Sequence, residues 1–156
     1  MESWKKYMFY SNSPFSYLFN PQPLTLHFPL STLNLSPMSQ SLVGIKAYSF
    51  ALSVISLYKK LTATCNEYTL SKQLLRSGTA IGALCREAVH AQSRADFLNK
   101  MNIALKEANE TEYWLMLLKD SDYVSPADYD LLHPACNELI SMLVTIVKTT
   151  KSSLNK

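Results

Sequence analysis

A chain of 156 residues is one domain's worth, and 47% hydrophobic content lets it bury a core. A formal net charge of +3 is too small to imply nucleic-acid binding by itself. Three cysteines (Cys65, Cys85, Cys136) with no CxxC pair argue against a disulfide framework or a Cys-rich zinc site, and point to buried free thiols in a reducing cytoplasm.

Residues 1–37 differ from the rest. From Tyr7 to Ile45 there is no Asp, Glu, Lys or Arg, and Pro14, Pro21, Pro23, Pro29 and Pro37 interrupt every apolar run. Lys5 and Lys6 precede an apolar patch, as in a secretory signal, but Ser11 to Pro14 break it and no clean cleavage site follows. No run there approaches the roughly 20 apolar residues that span a bilayer, and no membrane partner is expected. Either this is a disordered tail, or a mis-assigned leader upstream of a true start at Met38. Its many aromatics, and the helical pattern that begins soon after Met38, favour the second. His27 lies in this leader and carries no weight.

The remainder, about residues 38–150, is expected to be a single helical domain, since Gly is scarce and Val and Ile form no alternating runs. Helix 1 is expected over Ile45–Thr64. Phe50, Val54, Leu57 and Leu61 make one stripe, and Tyr48, Leu52 and Ile55 a second. An apolar girdle needs cover on more sides than a monomeric bundle gives, so the second face is expected to meet another subunit.

Helix 2 is the stretch Leu70–His90. Leu70, Leu74, Ile81 and Leu84 are its apolar stripe, and between them lie Ser77, Gly78, Thr79, Ala80, Gly82 and Ala83. Each helical Gly costs about 1 kcal/mol relative to Ala, so the small residues imply close approach by other helices. Ser93 with Asp96 three residues on predicts the start of helix 3, Arg94–Lys119. Phe97, Met101, Ala104, Ala108, Thr111, Leu115 and Leu118 form its bundle seam. Ile103, Glu107, Glu110, Trp114 and Leu117 form a second, mixed line.

Ser125-Pro126-Ala127-Asp128 predicts the start of helix 4, which should run to about Lys148. Pro134 should kink it or break its first turn, by removing a donor and crowding the carbonyl of Asp130. The polar end, residues 151–156 in particular, should fray. Four amphipathic helices with short links predict an all-α, up-down-up-down four-helix bundle.

Catalytic chemistry finds no footing. There is no nucleophile elbow and no GxxxxGK loop. Glu87-Ala88-Val89-His90 fits the Glu-x-x-His of di-metal bundles once, and Asp130 with His133 is a loose second copy. In this topology the two histidines should lie roughly 20–30 Å apart, so neither a metal nor any other cofactor is expected. Basic residues are dispersed. Lys59, Lys60, Arg86 and Arg94 are the candidates for phosphate contact, and a ring of subunits would repeat any small patch. Tyr58, Trp114 and Leu117 are candidates for a subunit interface.

The runs RSGTAIGALCREA (Arg76–Ala88) and ADFLNKMNIALKEANETEYWL (Ala95–Leu115) resemble the four helix bundle protein family, also called the 23S rRNA intervening sequence protein family. The resemblance covers about Ser49 to Lys151. It implies a left-handed bundle that assembles as a homopentamer with a central channel. It also implies a non-enzymatic cytoplasmic scaffold associated with RNA or DNA, of the rRNA-insertion or retroelement-accessory type. The alternative is a protein-interaction scaffold without nucleic acid. Arg76, Glu87 and Glu110 match the family's charged positions and are expected to form a structural polar cluster. Leu84 stands where the family usually has Asn, which favours packing over ligand binding.

Overall fold

The computed structural model describes residues 41–154, so the leader 1–37, with His27, lies outside the described residues. Four helices make up the chain: α1 (Leu42–Thr64), α2 (Leu70–Val89), α3 (Arg94–Asp120) and α4 (Pro126–Leu154). Each start is fixed by a side chain that accepts an otherwise orphaned backbone N–H. Ser41 Oγ accepts from Gly44 N (3.3 Å), Ser93 Oγ from Asp96 N (3.1 Å) and Ser125 Oγ from Asp128 N (3.2 Å).

α2 uses a different device. Thr69, its N-cap, makes no side-chain cap bond. Instead the buried Glu67 carboxylate reaches over the turn and accepts from the N–H groups of Thr69 (2.9 Å), Leu70 (2.8 Å) and Ser71 (2.6 Å). Asn66, at φ 52°, turns the chain to bring Glu67 there. Burial works to raise the Glu67 pKa, but the bonds from Leu70, Ser71 and Thr69 outweigh it and hold the carboxyl below its ordinary value.

Cross-helix contacts show that every neighbouring pair is antiparallel. Gly78 faces Val54 and Gly82 faces Ala47 between α2 and α1. Arg76 meets Glu110, and Glu87 meets Lys100, between α2 and α3. Glu112 meets His133, and Ala108 meets Cys136, between α3 and α4. Lys60 meets Asp128, and Lys46 meets Glu138, between α1 and α4. Each helix packs on two neighbours, and among the described residues no diagonal pair brings its Cα atoms within 8 Å. This is an up-down-up-down four-helix bundle, with the starts of α1 and α3 and the ends of α2 and α4 at one end. The core runs along Val54, Leu61, Leu74, Ile81, Leu115, Leu139 and Leu143.

The expected end of α4 is corrected, and of the two outcomes expected at Pro134 the broken turn does not occur: helix is continuous through it. The carbonyl that loses its donor belongs to Asp130, which is exposed, so water can take the place of the missing N–H. The polar end also stays helical to Leu154, well past Lys148, with Thr149, Ser152 and Ser153 hydroxyls donating to the carbonyls of Thr145, Lys148 and Thr150.

By length and mean hydropathy, α1 and α4 are each apolar enough to cross a membrane, yet their stripes Val43–Leu61 and Leu132–Leu143 line the bundle core. Only 28% of the most apolar stretch of α1 and 22% of that of α4 is buried. Leu42, Ile45 and Tyr48 on α1 are exposed. Apolar surface is therefore left over after the bundle closes.

The two glycines should respond oppositely to alanine. A Cβ on Gly78 would stand 3.0 Å from both γ-methyls of Val54, whose β-branched side chain has little room to turn. Overpacking of about 1–3 kcal/mol should exceed the helix-propensity gain of about 1 kcal/mol, so Gly78→Ala destabilises. On Gly82 the nearest atom would be the Ala47 carbonyl oxygen at 3.6 Å, an ordinary contact. Gly82→Ala should stabilise by about 0.5–1 kcal/mol in urea unfolding. Removal of the Glu67 cap by Glu67→Ala should cost about 1–2 kcal/mol at neutral pH. Because the folded pKa is lowered, that contribution is full above the ordinary carboxyl value and fades as pH falls through the folded pKa. The gap between the two proteins in urea melts should close in that acid window.

Candidate functional site

Three features stand out on the bundle: a polar seam between α2 and α3, a separation of charge between its ends, and the uncovered side of α1.

The polar seam begins with Ser77 and Thr111, both fully buried. Ser77 Oγ donates to the Gln73 carbonyl at 3.1 Å, and the single Thr111 hydroxyl proton is shared between Ser77 Oγ at 2.9 Å and the Glu107 carbonyl at 2.7 Å. Ser77 is small enough to admit Thr111, which explains part of the small-residue run on α2. Above them Arg76 bonds Glu110 and lies 3.7 Å from Glu107. Glu110 also accepts from Trp114 Nε1 at 3.2 Å. The bond from Trp114, together with Arg76, holds the Glu110 carboxyl below its ordinary value despite partial burial.

Arg76 and Glu110 thus come together, and Glu87 does not join them. Eleven residues, about 16 Å of helix, separate Glu87 from Arg76. Glu87 pairs instead with Lys100 at 2.7 Å. The half-buried Trp114 tip is engaged by Glu110, so less of it is free for a partner than Tyr113 and Met116 beside it, which are exposed. Leu117 and Tyr58 are half-buried. Leu84 packs against the core.

The four phosphate candidates divide between opposite ends. Lys59 and Lys60 close α1 at the end where α2 and α4 begin, whereas Arg86 and Arg94 lie where α2 ends and α3 begins. Lys60 is committed to Asp128 at 2.6 Å. Burial works to raise the Asp128 pKa, but Lys60 and Ser125 outweigh it and lower it. Asp120, Asp122 and Asp130 crowd the same end. At the other end the acids are engaged, Glu87 by Lys100 and Asp96 by the N–H of Gln92 (3.1 Å). Arg86, Arg94, Lys148 and Lys151 form no ion pair among the described residues. Lys148 and Lys151 belong to the dispersed basic residues of the sequence but are not among its four phosphate candidates.

Among the described residues no three His, Cys, Asp or Glu side chains cluster as metal ligands. Burial pushes the Cys85 and Cys136 thiols up to about 11 and about 12, which makes them poor nucleophiles. Two shallow recesses lie on α4, one lined by Lys148, Thr149, Ser152 and Ser153, the other by Glu138, Ser141, Met142, Thr145 and Ile146. In the second, the Ser141 hydroxyl donates to the Asn137 carbonyl and Glu138 is paired with Lys46.

Bundle, polar seam and small-residue helix agree with the comparison to known families. The model of the 23S rRNA-intervening sequence protein family matches residues 40–145. The chain belongs to that family. Within it the chain is similar to a crystal structure from Bacteroides thetaiotaomicron, described as a protein of unknown function from the S23 ribosomal protein family. The two are 51% identical, with a TM-score of 0.67, over 68% of this chain and 98% of that one. No curated protein matches. The family match spans all of α1 to α3 and α4 up to residue 145, so the polar seam and the acidic end lie within the shared fold, while Lys148 and Lys151 lie beyond it.

The seam can be tested by a double-mutant cycle on Ser77→Ala and Thr111→Val. The two hydroxyls share one buried bond, so unfolding energies should be non-additive by about 1 kcal/mol. Arg76→Gln paired with Glu87→Gln, by contrast, should be additive, since these residues share no partner.

Proposed function

We propose that this chain is a non-enzymatic, self-associating scaffold that binds RNA or DNA through its phosphate backbone. One observation carries the reading: Arg86, Arg94, Lys148 and Lys151 gather at one end of the bundle with no acidic partner among the described residues. Lys60 and Arg76 elsewhere, and Lys46 and Lys100 toward this same end, are spent on carboxylates, while Lys59, Lys72 and Lys106 along the rest of the bundle form no ion pair among the described residues. Cations left unpaired near one another repel, and a polyanion relieves that repulsion while releasing its own counterions. The family's association with an insertion in 23S rRNA is consistent with this chemistry.

Self-association supplies the affinity that one small patch lacks. The side of α1 that carries Ile45 and Tyr48 is the apolar surface left over from the bundle, and it suits a second copy of the chain. On this reading the assembly is a homopentamer in the cytoplasm, with Tyr58, Trp114 and Leu117 at the margins of the contact. A protein-interaction scaffold without nucleic acid is the second reading, and the exposed Tyr48, Tyr113 and Met116 favour it.

Titration of the full chain against labelled duplex RNA and duplex DNA across a salt series, with native mass measured in the same buffers, decides between them. The proposal expects an oligomer whose affinity falls roughly tenfold or more between 50 and 200 mM salt. An oligomer that binds neither nucleic acid at low salt contradicts it and favours the protein-interaction reading.

A further inference from the structure

The α3–α4 seam has a fixed register. Glu112 on α3 meets His133 on α4 at 3.2 Å. Eighteen residues are five turns of α-helix, so residues eighteen apart lie on one stripe. Counting back from Glu112 along α3 gives Arg94, and counting forward from His133 along α4 gives Lys151. The stripe between them is filled at intermediate turns by the partly buried Leu105, Ile140 and Val147. One seam thus carries an acid facing His133 near one end, and the same helical register assigns Arg94 and Lys151 to it at the other. Lys148, one turn before Lys151, adds a third.

These three residues are exposed and form no ion pair among the described residues. Asp96, the acid nearest Arg94 in sequence, sits about 200° around α3 from it and is bonded to the N–H of Gln92. The far end has the opposite character. Asp120, Asp122, Asp128 and Asp130 gather there, with Lys60 tied to Asp128 and Lys119 held over the Tyr129 ring at 4.6 Å, beside the exposed Lys59 and Lys72.

We infer that Arg94, Lys148 and Lys151 form a phosphate-binding foot at the α3–α4 end of the bundle, and that a phosphodiester backbone engages the protein from this end alone. The inference rests on the nucleic-acid reading for its ligand, and on the helix register for its place. The foot presents three donors to a phosphate oxygen array, while the acidic end repels a polyanion and so orients it. Arg86, on the α2 flank, lies outside the foot, and Lys59 and Lys60 face the wrong way. A cyclic assembly turns every subunit the same way about its axis, so all feet would line one face of the ring.

Charge-matched double variants test this. Lys148→Ala with Lys151→Ala removes two cations from the foot. Lys59→Ala with Lys72→Ala removes two exposed, unpaired cations from the other end. Both should keep the helical circular dichroism of the parent. Against a labelled 20-base-pair RNA duplex, the foot variant should lose at least tenfold in affinity, and the log–log salt slope should shrink by about 2. The other variant should change affinity less than twofold. Inorganic pyrophosphate supplies an independent arm: it should raise the melting temperature of the parent and leave the foot variant unmoved. Equal losses in both variants, or loss only in the Lys59/Lys72 variant, overturn the foot while leaving the nucleic-acid reading intact. Pyrophosphate stabilisation of the parent alone, without RNA binding, keeps the phosphate foot and overturns that reading. Absence of both responses overturns both.

Discussion

The seating of α2 on α1 at Gly78 is a constraint on which the rest of the architecture depends. Gly78 leaves room for both methyls of Val54, and Gly82 brings the α2 backbone against Ala47. Two helical glycines are a cost in isolation, about 1 kcal/mol each relative to alanine. Here the absence of a side chain at Gly78 lets the two helices seat at one register, whereas Gly82 leaves room for a Cβ. Once α1 is seated, the other seams have little freedom. Ser77 on the next flank of α2 admits Thr111, which fixes α3, and Cys136 against the Ala108 carbonyl places α4.

A fixed register has electrostatic consequences. Four antiparallel helices bring together residues that are remote in sequence, and they share the aspartates unevenly between the two ends. Arg94 and Lys151 finish at one end, Asp122 and Asp128 at the other. Paired surface charges contribute little to stability, and unpaired cations gathered at one end contribute less than nothing. Their arrangement is therefore better explained by a ligand than by folding. The same holds for the outer side of α1, where Ile45 and Tyr48 remain exposed after the core is complete. Both features point outward, one toward a polyanion and one toward another subunit.

The fold was legible in the sequence because its determinants are local. Stripes such as Phe50, Val54, Leu57 and Leu61 repeat at helical spacing, and Ser93 and Ser125 mark their helices with side chains next to the bonds they make. The α2 start was less legible, since its cap comes from Glu67, before the turn, and depends on Asn66 adopting a left-handed conformation. Pro134 misled because the cost of a missing donor depends on whether its acceptor can reach water, and exposed Asp130 can. The site was the least legible part. Charges matching the family's positions suggested one cluster of Arg76, Glu87 and Glu110, but helix length separates Glu87 from the other two. The basic end depends on Arg94 and Lys151 sharing one end of the bundle across 57 residues of chain, which only the packed register reveals.

The central claim is that one end of this bundle meets nucleic acid and the other does not. Amide hydrogen exchange of the full chain, with and without duplex RNA, tests it most directly because it reads both ends in one experiment. The account predicts slower exchange on RNA binding at the start of α3 and over the last turns of α4, with the α1–α2 turn around Glu67 and the α3–α4 turn around Asp122 unchanged. Protection confined to those two turns would contradict it.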